Sequence, residues 1–310
     1  MKKLISVLGI VGLMFLVGCD SSDKNEAKAE AEKSDKVLDV KVIDDGSGHE
    51  LIDFQQQVLD DAKRFKEFYT SRRPDVDPAD FNNGVYAIDS AGREQWEEIE
   101  EFPPYEFAVD EGKQLFEIPF PNGQKYSDCF KNGGIGIRQN FPYYEVKSNR
   151  VVTLELAIND CRVLNHQQPY EYGQGDIEKI AAYMSFTSRG KKFNLSVPNE
   201  AAYNAYLAGK KFFYSRRGQL NMSCENCHMG AFGKMLRADM VGPAYGHTTS
   251  SPIYRAAWES IGSLHKRYVE CNKNVRAKPF ALQSEEYRNL EYFESLMSAD
   301  LTINGPSSRK

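Results

Sequence analysis

Hydrophobic residues recur every three to four positions in three segments of the C-terminal third of the chain. These segments are 202–216, 252–271 and 284–301, and the spacing is that of the buried face of an amphipathic helix. We therefore predict a helix in each of the three segments, with Gly305 and Pro306 ending the last one. The apolar positions that set the pattern are Tyr203, Tyr206, Leu207, Phe212, Phe213, Tyr254, Trp258, Ile261, Leu264, Tyr268, Tyr287, Leu290, Phe293 and Leu296.

The N-terminus has the pattern of an export signal. Two lysines precede an apolar run from Leu4 to Leu16, which is shorter than the roughly 20 residues that a membrane-spanning helix needs. The sequence Leu-Val-Gly-Cys19 resembles a lipoprotein cleavage box, so residues 1–18 are predicted to be a signal peptide and Cys19 the acylated N-terminus. Ordinary cleavage near an incidental cysteine is the alternative. The polar segment 19–50 is then predicted to be a flexible tether. Asp20, directly after Cys19, favours a periplasmic protein that is anchored to the inner membrane.

Composition narrows the class of protein. The 310 residues include 18 Phe and 17 Tyr and carry a formal net charge of −5. So many aromatic residues indicate packed cores, which excludes a disordered chain. The negative charge argues against a protein that binds nucleic acid through basic patches.

One of the sequence motifs carries specific chemistry. Cys224-Glu-Asn-Cys227-His228 is a C-x-x-C-H motif, in which the two thiols attach covalently to haem and the histidine binds its iron. A redox C-x-x-C or half of a zinc site is the alternative, but no second C-x-x-C exists in the chain. We therefore predict one covalently attached haem c.

An internal repeat relates the two halves of the chain. Cys161 aligns with Cys271 in a register that continues without gaps into the segments on either side. Pro142 and Pro252 then coincide, and so do the apolar positions of the two following helices. We predict a mainly α fold of two tandem cytochrome c-like domains, with residues 51–198 as the first, including an N-terminal extension, and residues 199–310 as the second.

The first copy has lost the haem motif. Cys129 is followed by Phe130-Lys-Asn-Gly133 and not by a second cysteine and a histidine. Its thiol and that of Cys161 occupy places around the lost iron, so we predict a disulfide between them. The bridge closes a loop of about 33 residues, worth roughly 3–4 kcal/mol in the chain-entropy description. Cys271 is then left as the odd thiol.

The second axial position of the haem has three candidate occupants. A methionine is usual in electron-carrying cytochromes, and Met235, Met240 and Met297 are available. A vacant position would suit ligand binding or peroxidase chemistry. Cys271 is favoured because it is the leftover thiol and the repeat partner of a disulfide cysteine.

Several cations are present in the second copy where the first has other residues. Arg267 precedes Cys271 by four positions, so the two share a helix face, and its counterpart is Ala157. A guanidinium there lowers the pKa of a thiol and can grip a small oxyanion, whereas a solvated surface cation is the alternative. Arg255 and Arg276 are candidates for binding the haem propionates. We expect His265 and Lys266 at the surface or on the rim of the pocket.

The chain resembles the SoxA subunit of the bacterial thiosulfate-oxidising SoxAX cytochrome. The resemblance extends over roughly 105–306 and rests on four segments: the C-x-x-C-H motif, Pro252-Ile-Tyr-Arg-Ala-Ala-Trp258, Gly262-Ser-Leu-His-Lys-Arg-Tyr-Val-Glu-Cys271, and Val275-Arg-Ala-Lys-Pro279. It implies that Cys271 is a persulfide that ligates the haem and performs catalysis, and that Arg267 binds substrate. It also implies a monohaem protein whose first haem is replaced by a disulfide. The lipoprotein box and the long N-terminal extension depart from many relatives.

The resemblance further implies a reaction. Thiosulfate is joined to a cysteine of the carrier SoxYZ, giving an S-thiosulfonate and passing two electrons to haem, with SoxX as the cytochrome partner. This activity is that of an L-cysteine S-thiosulfotransferase. A plain periplasmic electron-transfer cytochrome with a methionine ligand, or a haem sensor, is the alternative.

Overall fold

Two small helical modules of the same architecture follow each other in the structure, a computed structural model that describes residues 53–309. The predicted signal peptide 1–18 and the tether with Cys19 lie outside these residues. The helices are α1 Phe54–Thr70, α2 Ser90–Glu101, α3 Glu106–Glu117, α4 Tyr126–Cys129, α5 Leu154–Leu164, α6 Asp176–Phe186, α7 Glu200–Tyr214, α8 Cys224–His228, α9 Leu264–Asn274 and α10 Glu285–Met297. The strands are β1 Tyr143–Glu145, β2 Arg150–Val152, β3 Met235–Leu236, β4 Asp239–Met240, β5 Ile253–Arg255, β6 Ser260–Gly262 and β7 Ser307–Arg309.

The structure confirms the repeat register that aligns Cys161 with Cys271. The hairpin β1–β2 has its equivalent in β5–β6, and the pairs Tyr143 with Val152 and Ile253 with Gly262 occupy the same places in that register. Each hairpin leads into a helix, α5 or α9, whose N-terminus is capped by a hydroxyl side chain, that of Thr153 or Ser263. The predicted fold of two tandem cytochrome c-like modules is therefore correct.

Each module is held together by one close helix crossing. Helix α3 packs on α6 in the first module, and α7 packs on α10 in the second. A Cβ added at Gly112 would lie 2.0 Å from the carbonyl oxygen of Lys179, and one added at Gly209 would lie 1.9 Å from that of Asn289. Only glycine allows the two backbones to approach so closely.

The predicted disulfide is present in the first module. Cys129 on α4 and Cys161 on α5 are bonded, with their Cα atoms 5.8 Å apart. Cys161 is buried in a hydrophobic cluster that also contains Phe116 and Ile158. The bridge therefore lies within the core of the module that lacks the haem motif.

The helix predicted over 252–271 is wrong in its first half. The backbone instead forms the hairpin β5–β6, with a 3₁₀ turn Ala256–Trp258 at its tip and Glu259 at a φ of 50°. Helix α9 begins only after Ser263, whose Oγ accepts from the amide of Lys266. Apolar residues spaced by three or four positions also suit strands that pair across a short turn, so periodicity alone could not distinguish the two. The other two predicted helices correspond to α7 and α10.

The N-terminal and C-terminal segments pack on the modules. The Phe65 ring of α1 lies 6.1 Å from the rings of both Phe213 and Phe293, which belong to the second module. Strand β7 runs parallel to β5 and completes a three-stranded sheet. The boundaries at 51–198 and 199–310 stay a prediction. None of the helices within residues 53–309 is long and apolar enough to cross a membrane.

Candidate active site

The C-x-x-C-H motif forms one short, capped helix. Ser223 and Asn226 cap each other, with the amide of Asn226 donating to Ser223 Oγ at 3.2 Å and the amide of Ser223 to Asn226 Oδ1 at 3.1 Å. This capping fixes the start of α8 at Cys224. Cys224, Cys227 and His228 therefore lie on little more than one helical turn.

The imidazole of His228 is prepared to bind a metal through one nitrogen. Its Nδ1 lies 2.9 Å from the carbonyl oxygen of Gly242, which can only accept, so Nδ1 carries the proton. Burial lowers the pKa of His228 well below its usual range, and the nearby His247 acts in the same direction. The ring is therefore neutral and the lone pair of Nε2 is left for a ligand bond.

Cys271 lies on α9, within electrostatic range of the two thiols of the motif. A negative charge on Cys271 raises the pKa of both Cys224 and Cys227, in addition to the effect of burial. Burial raises the pKa of the Cys271 thiol, whereas the guanidinium of Arg267 opposes this rise. The thiol that the sequence singled out is therefore within electrostatic range of both the motif and Arg267.

Arg267 lies one turn before Cys271 and is held by a carboxylate. Its Nη1 is 2.8 Å from Oε2 of Glu270, and the other oxygen of Glu270 accepts from the indole of Trp258. Burial works against the charge of Arg267, but Cys271 and Glu270 outweigh it and raise the pKa of the guanidinium. Both partners of the ion pair are about one third exposed, so a small anion can reach them.

The two other predicted arginines lie in different surroundings. Arg255, at the end of β5, is partly buried, and burial together with the positive charge of Arg267 lowers its pKa. Its Nε is buried without a hydrogen-bond partner. Arg276 is exposed on the turn after α9, at a φ of 57°.

Arg217 is a half-buried cation near the motif that the sequence pattern did not indicate. The guanidinium of Arg217 lies 3.4 Å above the ring of Phe212, and its charge interacts with Cys224. Its Nη1 is buried without a hydrogen-bond partner, and burial lowers its pKa. A signal was available in the sequence. Gly112-Lys113 precedes Cys129 much as Gly209-Lys210 precedes Cys224, and the first of these segments, 112–129, contains no arginine.

These residues fit a covalently bound haem. Two thiols and a neutral imidazole stand on one helical turn, and the unpartnered donors of Arg217 and Arg255 suit the carboxylates of a porphyrin. Within residues 53–309 there is no cluster of three or more His, Cys, Asp or Glu that could hold a bare metal ion, so the zinc alternative has no support.

The three candidate methionines differ in exposure. Met235 is 60 % exposed on β3, and Met297 is buried in the core formed by α7 and α10. Met240 is half-buried on β4.

His265 is not a surface residue as expected from the sequence. It is 1 % exposed, and its Nε2 lies 3.1 Å from Oε2 of Glu291 on α10. A buried carboxylate from a distant segment explains the burial, and the local sequence does not reveal it. Lys266 lies at the rim, with its Nζ 4.6 Å from the centre of the Trp258 ring.

Comparisons with known proteins agree with this geometry. Residues 111–193 match the family described as SoxA/TsdA, cytochrome c domain. The chain is 52 % identical over 259 residues to the L-cysteine S-thiosulfotransferase subunit SoxA of Chlorobaculum tepidum, which covers 84 % of this chain and 90 % of that protein. Identity to the SoxA subunit of Allochromatium vinosum is 46 %, over 79 % of this chain and 88 % of the relative.

A solved structure shares the fold. The crystal structure of SoxXA from P. pantotrophus matches with a TM-score of 0.64 and 24 % identity, over 70 % of this chain and 84 % of that one. The cytochrome c match and the C-x-x-C-H helix together imply a c-type haem. On the strength of the extensive identity to the curated relatives, this chain belongs to the family of SoxA subunits of L-cysteine S-thiosulfotransferase.

Proposed function

We propose that this chain is the SoxA-type subunit of an enzyme that joins thiosulfate to a cysteine thiol of a SoxYZ-type carrier. The observation that carries the proposal is the pairing of Cys271 with Arg267, one helical turn apart and within electrostatic range of the C-x-x-C-H cysteines. Relatives that are 46–52 % identical over most of their length carry this activity in their names. A plain electron carrier would have no use for an anion-binding arginine at a free thiol.

Four side chains would hold the haem. Cys224 and Cys227 would form the thioether bonds, and His228 and Cys271 would bind the iron. The donors of Arg217 and Arg255 suit the propionates, whereas the exposed Arg276 has less support. Once bound, the haem supplies a one-electron acceptor, and a SoxX-type cytochrome supplies the second.

The overall reaction defines what the residues must do. A carrier thiol and a thiosulfate dianion combine into an S-thiosulfonate, releasing one proton and two electrons. Arg267 holds the dianion through its guanidinium, which binds two oxygens in one plane. Cys271, carried as a persulfide, would form an S–S bond with the outer sulfur of thiosulfate as two electrons leave to the two cytochromes. The carrier thiol would then attack that sulfur, lose its proton and release the Cys271 persulfide, and Arg267 favours the anionic form of the Cys271 sulfur.

Export places this chemistry in the periplasm. The leader 1–18 and the acylated Cys19 would anchor the protein to the inner membrane, because several acyl chains give stable attachment. The mass of the intact protein tests the anchor, the haem and the persulfide together, since it reports acyl chains, one haem, the hydrogens lost in the disulfide and an extra sulfur. A mass without acyl chains would contradict the anchor alone.

Turnover tests the function itself. The protein, combined with a SoxX-type cytochrome and SoxYZ or a small thiol, should reduce haem only when thiosulfate is added. Cys271→Ala should abolish this reduction and change the electron paramagnetic resonance spectrum of the ferric haem. A spectrum that is unchanged in this variant but altered by Met240→Leu would instead favour an electron carrier with a methionine ligand.

A further inference from the structure

A buried carboxylate is connected to His228 through a second histidine. Nε2 of His247 lies 3.0 Å from Nδ1 of His228, and the two rings meet edge to face with centroids 4.2 Å apart. Nδ1 of His247 lies 3.1 Å from Oε1 of Glu294 on α10. Glu294 is 2 % exposed, and its other oxygen accepts from the hydroxyl of Tyr268.

The protons in this chain of contacts can have only one arrangement. The carbonyl of Gly242 can only accept, so His228 must donate from Nδ1. His247 therefore presents an unprotonated Nε2 to His228, and its own proton lies on Nδ1, facing Glu294. Glu294 thus fixes the tautomer of His247, and His247 supports the tautomer of His228.

The first module lacks all three side chains. In the repeat register, His247 corresponds to Ile137, Glu294 to Met184 and Tyr268 to Ile158. The register is secure here, because Gly136 and Gly246 directly before the first pair both have positive φ. All three replacements are buried apolar residues of the core around the disulfide. The polar contacts therefore occur only in the module with the haem motif, which indicates a role in haem chemistry and not in the fold.

We propose that His247, oriented by Glu294, is a positioning residue for His228. It accepts a share of the Nδ1 proton, in addition to Gly242, and so increases the electron density on Nε2, the nitrogen that is left to bind a metal. A stronger electron donor stabilises ferric over ferrous iron, so the pair lowers the reduction potential of the haem. The inference rests on the proposed attachment of haem at His228 but not on the thiosulfate reaction.

The experiment compares two buried glutamates on the same helix. Glu294→Gln keeps a hydrogen-bond acceptor for His247 but removes the charge, whereas Glu291→Gln makes the same change at a site that pairs with His265. In the haem-loaded full chain, E294Q should shift the ferric/ferrous equilibrium toward ferrous by roughly tenfold, which is about 59 mV for one electron. The matched E291Q should leave the equilibrium at the wild-type value. Equal shifts in both variants would overturn the proposal.

A double variant separates orientation from simple charge. If Glu294 acts through His247, the E294Q shift should largely disappear in a His247→Phe background. A shift that persists there at full size would show that Glu294 acts as a remote charge and would overturn the relay. Should His247→Phe fail to retain haem, the ferric electron paramagnetic resonance spectrum of E294Q decides, since unchanged g values contradict a role at His228. These readouts need no substrate, so a protein that fails to turn over thiosulfate would still test the inference.

Discussion

Arg267 and Glu270 form an ion pair of 2.8 Å on the same face of α9, immediately before Cys271. Glu270 is also fixed by the indole of Trp258, and these two hydrogen bonds outweigh burial and lower the pKa of its carboxyl. The guanidinium that is predicted to bind thiosulfate is therefore already paired with a carboxylate of the same chain. An incoming dianion must displace Glu270 from Arg267 or share the guanidinium with it.

Removing this carboxylate should improve substrate binding. In Glu270→Gln we expect a KM for thiosulfate up to about fivefold lower, the size of a partly exposed ion pair. Steady-state turnover at several thiosulfate concentrations measures the change. Glu225→Gln, which removes a carboxylate from α8 without touching Arg267, is the control, and a higher KM in E270Q would contradict competition between the two anions.

Arg267 should matter for turnover and not for folding. Arg267→Ala should leave haem content unchanged but reduce kcat/KM for thiosulfate at least tenfold, because a charge-assisted hydrogen bond contributes about 1.5–3 kcal/mol. Arg267→Lys should recover only part of the loss, since an ammonium keeps the charge without the planar pair of donors. Wild-type rates in the alanine variant would identify Arg267 as a surface cation.

The disulfide should stabilise the first module alone. Cys129→Ala combined with Cys161→Ala should lower the free energy of unfolding by about 3–4 kcal/mol, the loop-entropy value for a bridge of this span. Denaturant titration measures the loss, and haem absorbance of the folded variant should equal that of the wild type, because the bridge lies in the other module. A variant as stable as the parent would show that packing alone holds the module.

The repeat made much of this architecture predictable from the sequence. The ungapped register placed Cys161 at the position of Cys271, and the lost haem motif placed Cys129 near the same centre, so the pairing of Cys129 with Cys161 could be predicted. The hairpin β5–β6 was not predicted, because its apolar residues are spaced like those of a helix. The segment is extended because β5 and β6 form hydrogen bonds with each other, which the spacing does not report. Arg217 and His247 were missed for a related reason. Their roles depend on neighbours that are distant in sequence, which periodicity does not report.

A buried carboxyl between the modules should make stability depend on pH. Burial raises the pKa of Glu178 to about 8, and the neighbouring charge of Glu155 adds to this rise. Between pH 4.5 and 8 the folded protein keeps a proton on Glu178 that the unfolded chain releases. The free energy of unfolding therefore decreases as pH rises through this range, by at most about 1.4 kcal/mol per pH unit. Denaturant unfolding at pH 5 and pH 8 should show this decrease in the wild type and a smaller one in Glu178→Gln. Equal decreases in both proteins would contradict the assignment.

The two helix crossings offer a matched test of how independent the modules are. Gly112→Ala and Gly209→Ala each add a methyl group that would lie about 2 Å from a backbone carbonyl oxygen. Both substitutions should therefore lower the free energy of unfolding, by about 1–3 kcal/mol. Gly123→Ala is the control, because its Cβ meets nothing within 4 Å and only its φ of +84° opposes the change.

Haem loading should distinguish the two crossing variants. Helices α7 and α10 form the core against which Cys224 packs, so Gly209→Ala should reduce the fraction of chains that acquire covalent haem. Gly112→Ala weakens a crossing in the module without the haem motif and should leave loading at the wild-type level. Haem absorbance relative to protein concentration, measured on the exported full chain, gives both values. If Gly112→Ala reduced loading as strongly as Gly209→Ala, the modules would fold as one cooperative unit and the haem module would depend on its disulfide-bridged neighbour.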